Sequence, residues 1–209
     1  NGTQSNSVAA VVRDTFSVPT WITGIILTIF AGAVILGGIK TIGKVTSYFV
    51  PFMALFYIIA GMAIMVMNLE LIGPAFATIF SAAFTGEAAV GGAIGAAIRY
   101  GVARGVFSNE AGLGSAPIAA AAAKTDMPGR QALVSMTQVF IDTLIICSIT
   151  GVTIVMSGLY TDDAYEGSAL TTAAFEQFLG PIGPIIVAIG LIFFASSTII
   201  GWSYYGEKC

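Results

Sequence analysis

Apolar residues run almost unbroken through four stretches of the chain, at about 21–39, 48–67, 131–157 and 181–202. A helix needs about 20 such residues to cross the core of a bilayer, so each stretch predicts a membrane span. Pro51 falls in the first turn of the second predicted span, where its missing N–H costs little. A fifth stretch, 74–104, is apolar at both ends and interrupted by TGEAAVGG between Thr85 and Gly92. Two half-helices of about 13 residues would together cover the bilayer and leave a gap at mid-depth. The competing reading is a short re-entrant or surface helix over 74–84, with the glycines serving close packing.

Loop charges favour the broken crossing. With five spans, Lys40, Lys44, Arg99, Arg104, Lys124, Arg130 and Lys208 share one side. Glu70, Asp162, Asp163, Glu166 and Glu176 lie on the other, with Arg13 as the only base there. Lys and Arg concentrate on the cytoplasmic side of membrane proteins, and this arrangement obeys that bias. Without the fifth crossing the basic clusters would fall on opposite faces.

Composition agrees. The chain has 209 residues, of which 9% are charged and 56% hydrophobic. A soluble domain carries about 25% charged residues to cover its surface, so the chain is expected to be an integral membrane protein. Histidine is absent and the two cysteines, Cys147 and Cys209, have no metal-ligand spacing, which excludes His-based catalysis and His-based metal sites. The first residue is Asn1, no basic-then-apolar leader follows it, and the last residues come directly after an apolar span. The expectation is a single transmembrane domain over 1–209, an internal piece of a longer protein.

Polar residues inside the spans carry the candidate chemistry. A broken membrane helix persists only where it is buried in protein or lines a hydrated cavity, and its half-helix ends can then face ions and substrate. In the last span, Phe194, Ser197 and Thr198 stand at i, i+3 and i+4, so one carbonyl and two hydroxyls can converge on a dehydrated Na+. Trp202 lies one turn further on the same face. The alternative is that both hydroxyls bond back to their own helix and ease packing. Asp142, about 16 Å into its span from Gln131, is either a cation or proton site or a structural carboxylate. Cys147, five residues on, would not face it on an α-helix. Glu87 lies at the predicted break, facing either a substrate ammonium or a wet vestibule.

The Gly-rich string RGVFSNEAGLGSAP is not a phosphate loop, since no strand precedes it and no Gly-Lys-Ser/Thr ends it. It reads as a compact inner-gate element on the basic side. Asn109 and Glu110 bond neighbouring backbone or pair with Arg104, Gly112, Gly114 and Pro117 set a tight turn, and the alanine run allows close helix approach. A passive channel predicts a polar stripe along one helix, which no span has. A membrane enzyme needs paired carboxylates or a nucleophile–base pair, and neither is present.

Several strings together resemble the alanine/glycine–cation symporter family: QSNSVAAVVRDTF, VILGGIKTIGKVTSYFVPFMALFYIIAG, GVARGVFSNEAGLGSAPIAAAAAKTDMPGRQALV, FIDTLIIC and STIIGWSYYGEKC. They run in order from about Gln4 to Cys209. One departure is Met127–Pro128, where the family often has His–Pro. The resemblance implies an all-α polytopic transporter with the inverted-repeat fold of neurotransmitter–sodium symporters and amino-acid permeases. It would symport alanine or glycine with Na+, or alternatively H+, across the plasma membrane, a bacterial inner membrane. No cofactor beyond the coupling ion is implied, and no nucleic acid. The break at 85–92 would be the sixth core helix and 181–202 the eighth, with the first broken helix on missing helices of the same protein. The resemblance assigns Na+ to Phe194, Ser197 and Thr198, and substrate to Thr198, Trp202, Gly91 and Gly92, with Gln4 and Asn6 supplying an amide to the amino acid's carboxylate.

Overall fold

The computed structural model describes the backbone of residues 2–84, 101–103, 105–162 and 164–209. The described residues are helical, with no strand among them. In chain order they form α1 (Gly2–Phe16), α2 (Thr20–Leu36), α3 (Gly38–Met67), α4 (Leu69–Phe84), α5 (Ala116–Ala120), α6 (Pro128–Val139), a π-helical segment (Phe140–Cys147), α7 (Ser148–Ser157), a 3-10 turn (Leu159–Thr161), α8 (Ser168–Leu179) and α9 (Ile182–Lys208). Among the described residues, three runs are long and apolar enough to cross a membrane: Gly38–Met67, Pro128–Ser157 and Ile182–Lys208. Thr20–Leu36 and Leu69–Ala82 are shorter apolar helices. The proposed break at 85–92, with Glu87, lies outside the described residues.

Two boundaries differ from the sequence expectation. Residues 40–47 form no loop, because α3 begins at Gly38 and only Gly37 separates it from α2. Gly38 makes this possible with φ +68, a left-handed conformation that a side chain disfavours. Pro51 is therefore well inside a 30-residue helix rather than in its first turn, where it withdraws the N–H that would bond the Ser47 carbonyl. Residues 168–179, expected as part of a polar loop, form α8, whose Ala174 and Phe175 are fully buried.

Contacts group the described residues into two units, 1–64 with 159–209, and 65–158. In the first, α9 packs on α1, α2 and α8. Val8 and Val12 of α1 meet Ala195 of α9, with Leu27 and Leu191 closing over them. Aromatic rings bind α3 to this group: Phe49 lies between Phe30 and Phe193, at 5.6 and 5.1 Å, and Tyr57 between Phe175 and Phe194, at 5.5 and 5.8 Å. Such ring pairs contribute beyond their buried area.

In the second unit, α4 packs against α7, and α6 runs through the π-helical segment into α7 as one continuous rod. Residues 101–103 and 105–109 are helical, and the chain then turns over 110–115 before α5. Glu110, Gly112 and Gly114 all have positive φ, at 57, 87 and 81. The expected tight turn is present. The alanine run forms the five-residue α5, which contacts α6, and a concavity of about 480 Å³ lies beside them, lined by Ala116, Pro117, Ala120, Gln131 and Ser135. Met127 is extended, with φ −135 and ψ 123, and Pro128 opens α6. Proline imposes this conformation on the residue before it.

Candidate transport sites

The α9 turn from Phe194 to Thr198 brings three oxygens together. Ser197 Oγ and Thr198 Oγ1 each donate to the Phe194 carbonyl at 2.9 Å. The back-bonding expected of helical Ser and Thr is thus present, and it is also what gathers the oxygens. Each hydroxyl keeps lone pairs after donating its proton, so the cluster offers neutral oxygen ligands without burying a carboxylate. The three residues of the ion assignment, and Trp202, are half-buried. The turn is held from α3: Tyr57 meets the Phe194 ring edge-on, and Met53 Sδ lies 3.9 Å from Ser197 Oγ. Met53 and Tyr57 carry no polar pattern in the sequence, so only packing could identify them. Trp202 meets Tyr205 edge-on at 5.5 Å.

On α1, Gln4 and Asn6 differ. Two helical positions apart they face nearly opposite directions, so they cannot serve one site together. Asn6 is exposed, whereas the Gln4 Oε1 atom is buried and has no hydrogen-bond partner among the described residues. A buried amide oxygen without a partner costs about 1–3 kcal/mol, which a donor brought by a ligand would recover. Gln4→Leu is therefore expected to leave the melting temperature of the intact protein unchanged or raised while weakening substrate affinity. A thermal melt beside uptake kinetics checks this, and a lower melting temperature with unchanged affinity would contradict it.

In the second unit, Asp142 is part of a polar cluster. Ser108 Oγ donates to Asp142 Oδ2 at 2.7 Å and lies 3.7 Å from Cys147 Sγ. Asn109 Nδ2 donates to Thr143 Oγ1 at 3.0 Å. One serine thus reaches both residue 142 and residue 147, contrary to the expectation that they face apart. The reason is the π-helix, whose i→i+5 repeat aligns residues that an α-helix would separate. Ser108 and Thr143 were missed because their contacts join segments 34 residues apart, which no local spacing pattern encodes.

The turn after residue 109 is braced locally. Asn109 Oδ1 accepts the Ala111 N–H at 2.9 Å, and Glu110 Oε2 accepts Ser115 Oγ–H at 2.8 Å. This is the neighbouring-backbone arrangement expected of Asn109, with Glu110 bonding a side chain within the same turn. Gly91, Gly92 and the Arg104 side chain lie outside the described residues.

A model of the sodium:alanine symporter family matches residues 1–209. The chain is 60% identical to the sodium/alanine symporter AgcS of Methanococcus maripaludis, over 100% of the chain and 47% of that protein. It is 48% identical to an uncharacterized transporter of Haemophilus influenzae, over 99% of the chain and 46% of that protein. It is 33% identical to the sodium/proton-dependent alanine carrier protein of Bacillus sp. strain PS3, over 99% of the chain and 49% of that protein. The chain thus spans about half the length of these relatives.

Proposed function

The chain belongs to the sodium:alanine symporter family, and on that premise we propose that it is part of a secondary active transporter. The transporter carries a small neutral amino acid, alanine or glycine, together with Na+ across the plasma membrane, and is not an enzyme. The observation that carries this reading is the Phe194–Ser197–Thr198 turn, where one carbonyl and two hydroxyls converge without a carboxylate. Three neutral oxygens make part of a cation shell, and helices outside this chain would supply the rest.

In this reading the residues divide the work. Phe194, Ser197 and Thr198 replace water around the ion, and Met53 and Tyr57 of α3 hold them in place. Thr198 and Trp202 border the amino acid on the same helix face, and the buried Gln4 Oε1 accepts from the substrate's ammonium group rather than meeting its carboxylate. The fold is the inverted-repeat arrangement in which ion and substrate meet near the membrane midplane at discontinuous helices. Gly91 and Gly92 remain assigned to the substrate as the resemblance gave them, with Arg104, Asn109, Glu110 and Asp142 as gating or bracing residues.

A second reading is H+ coupling. The PS3 relative is named as sodium/proton-dependent, and Asp142 is a carboxylate within a long apolar helix. The intact protein in proteoliposomes decides between the two. An inward Na+ gradient should drive uptake of labelled alanine or glycine above the rate without a gradient. Uptake that ignores Na+ and follows an imposed proton gradient would replace the first reading with the second.

A further inference from the structure

The exposed face of α3 is graded from charged to apolar along its length. Lys40 and Lys44 stand one turn apart near its start, followed by Tyr48, Phe52, Leu55, Ile59 and Met62. At 100° per residue these positions fall within one third of the helix circumference. Tyr48 is 71%, Leu55 63% and Ile59 61% exposed, while Ile42, Met53, Tyr57, Ala60 and Ile64 on the opposite face are buried. No carboxylate pairs with Lys40 or Lys44 among the described residues. Their neighbours Thr41 and Ser47 spend their hydroxyl protons on the Gly37 and Lys44 carbonyls.

We propose that this face binds an anionic phospholipid, with the phosphate on Lys40 and Lys44 and an acyl chain along Phe52, Leu55 and Ile59. The two lysine positions lie about 6 Å apart along the helix axis, close enough for both side chains to reach one phosphodiester headgroup. Tyr48 lies about 6 Å deeper, at the level where amphipathic rings meet the membrane interface. Phe52, Leu55 and Ile59 lie about 12, 17 and 23 Å beyond Lys44 along the axis, the reach of one extended acyl chain. Lysines beside a membrane attract anionic lipid, and the charge bias of the loops puts these two on the cytoplasmic, anionic leaflet. A free phosphate would use the lysines and leave the apolar stripe without a role. The lipid accounts for both.

The test uses the intact transporter in detergent, titrated with phosphatidylglycerol or phosphatidylethanolamine while bound lipids are counted by native mass spectrometry. Phosphatidylglycerol should bind preferentially, and the Lys40→Gln/Lys44→Gln variant should lose about fivefold in its affinity per lysine removed. Lys40→Arg/Lys44→Arg should keep the preference. Unchanged binding in the Gln variant, equal binding of the two lipids, or full displacement by millimolar inorganic phosphate would each overturn the proposal. A spin label at Ile59→Cys, in a background without other cysteines, separates lipid from protein as the occupant. Relaxation by membrane-dissolved oxygen supports lipid contact, and a shielded label would mean that the rest of the protein covers this face.

Discussion

Thr198→Ala is expected to raise the Na+ concentration for half-maximal uptake about tenfold to a hundredfold. That range corresponds to losing one hydrogen-bonding oxygen from a charged partner, about 1.5–3 kcal/mol. The fold should tolerate the change, since the Thr198 hydroxyl bonds only its own helix, at the Phe194 carbonyl. Ser197 would still occupy that carbonyl. The melting temperature should therefore stay near that of the unmodified protein while Na+ dependence shifts, and Thr198→Ser should restore the Na+ response. Uptake by Thr198→Ala with unchanged Na+ dependence would remove Thr198 from the ion site.

Gly183→Ala should have the largest effect on stability. Gly183 opens α9 directly after the α8–α9 corner and is buried. A Cβ there would run into the backbone carbonyl of Phe175 and the backbone nitrogen of Glu176. Backbone cannot swing aside as a side chain can, so the cost should reach about 3 kcal/mol, the upper end for overpacking. Phe175 is fully buried and stacks on Tyr57, so pushing α8 away disturbs the support of Phe194 as well. Gly190→Ala is the matched comparison: its Cβ would lie 3.4 Å from Tyr57 Cδ2, an ordinary contact with a ring that can adjust. Melting curves of both variants in the intact protein separate them, and equal curves would contradict the close α8–α9 approach.

How far the sequence foretold these features depends on which regularity each obeys. The long apolar helices followed from composition, because a chain with 9% charged residues has no means of covering itself in water. The turn at 110–115 was legible because Asn, Gly and Pro have specific backbone preferences that do not depend on distant packing. The continuity of α3 through Lys40 and Lys44 was not legible, since those lysines and Ser47 read as a loop until Gly38 is seen to make the corner alone. The π-helical segment was hidden for a different reason. Hydrophobic spacing is judged against 3.6 residues per turn, so Asp142 and Cys147 looked divergent although Ser108 touches both.

The candidate ion turn shows the limit most clearly. Spacing put Phe194, Ser197 and Thr198 on one face but left ion ligation and local back-bonding as alternatives. The geometry shows that the back-bonds exist and that they assemble the oxygens, so the two readings are compatible. Gln4 and Asn6 were equivalent amides in the sequence, and only burial distinguishes them. That distinction needs the position of α1 against its neighbours, which no local pattern encodes.

Coupling between the two fluxes is the central claim, and it can be measured in the reverse direction. The intact protein is placed in proteoliposomes with equal Na+ on both sides and the membrane potential clamped, and an inward alanine gradient is imposed while labelled Na+ entry is followed. A symporter must then carry net Na+ inward against no gradient of its own, and Thr198→Ala should suppress that movement at Na+ concentrations where the unmodified protein is saturated. Alanine entering with no net movement of Na+ would contradict the account.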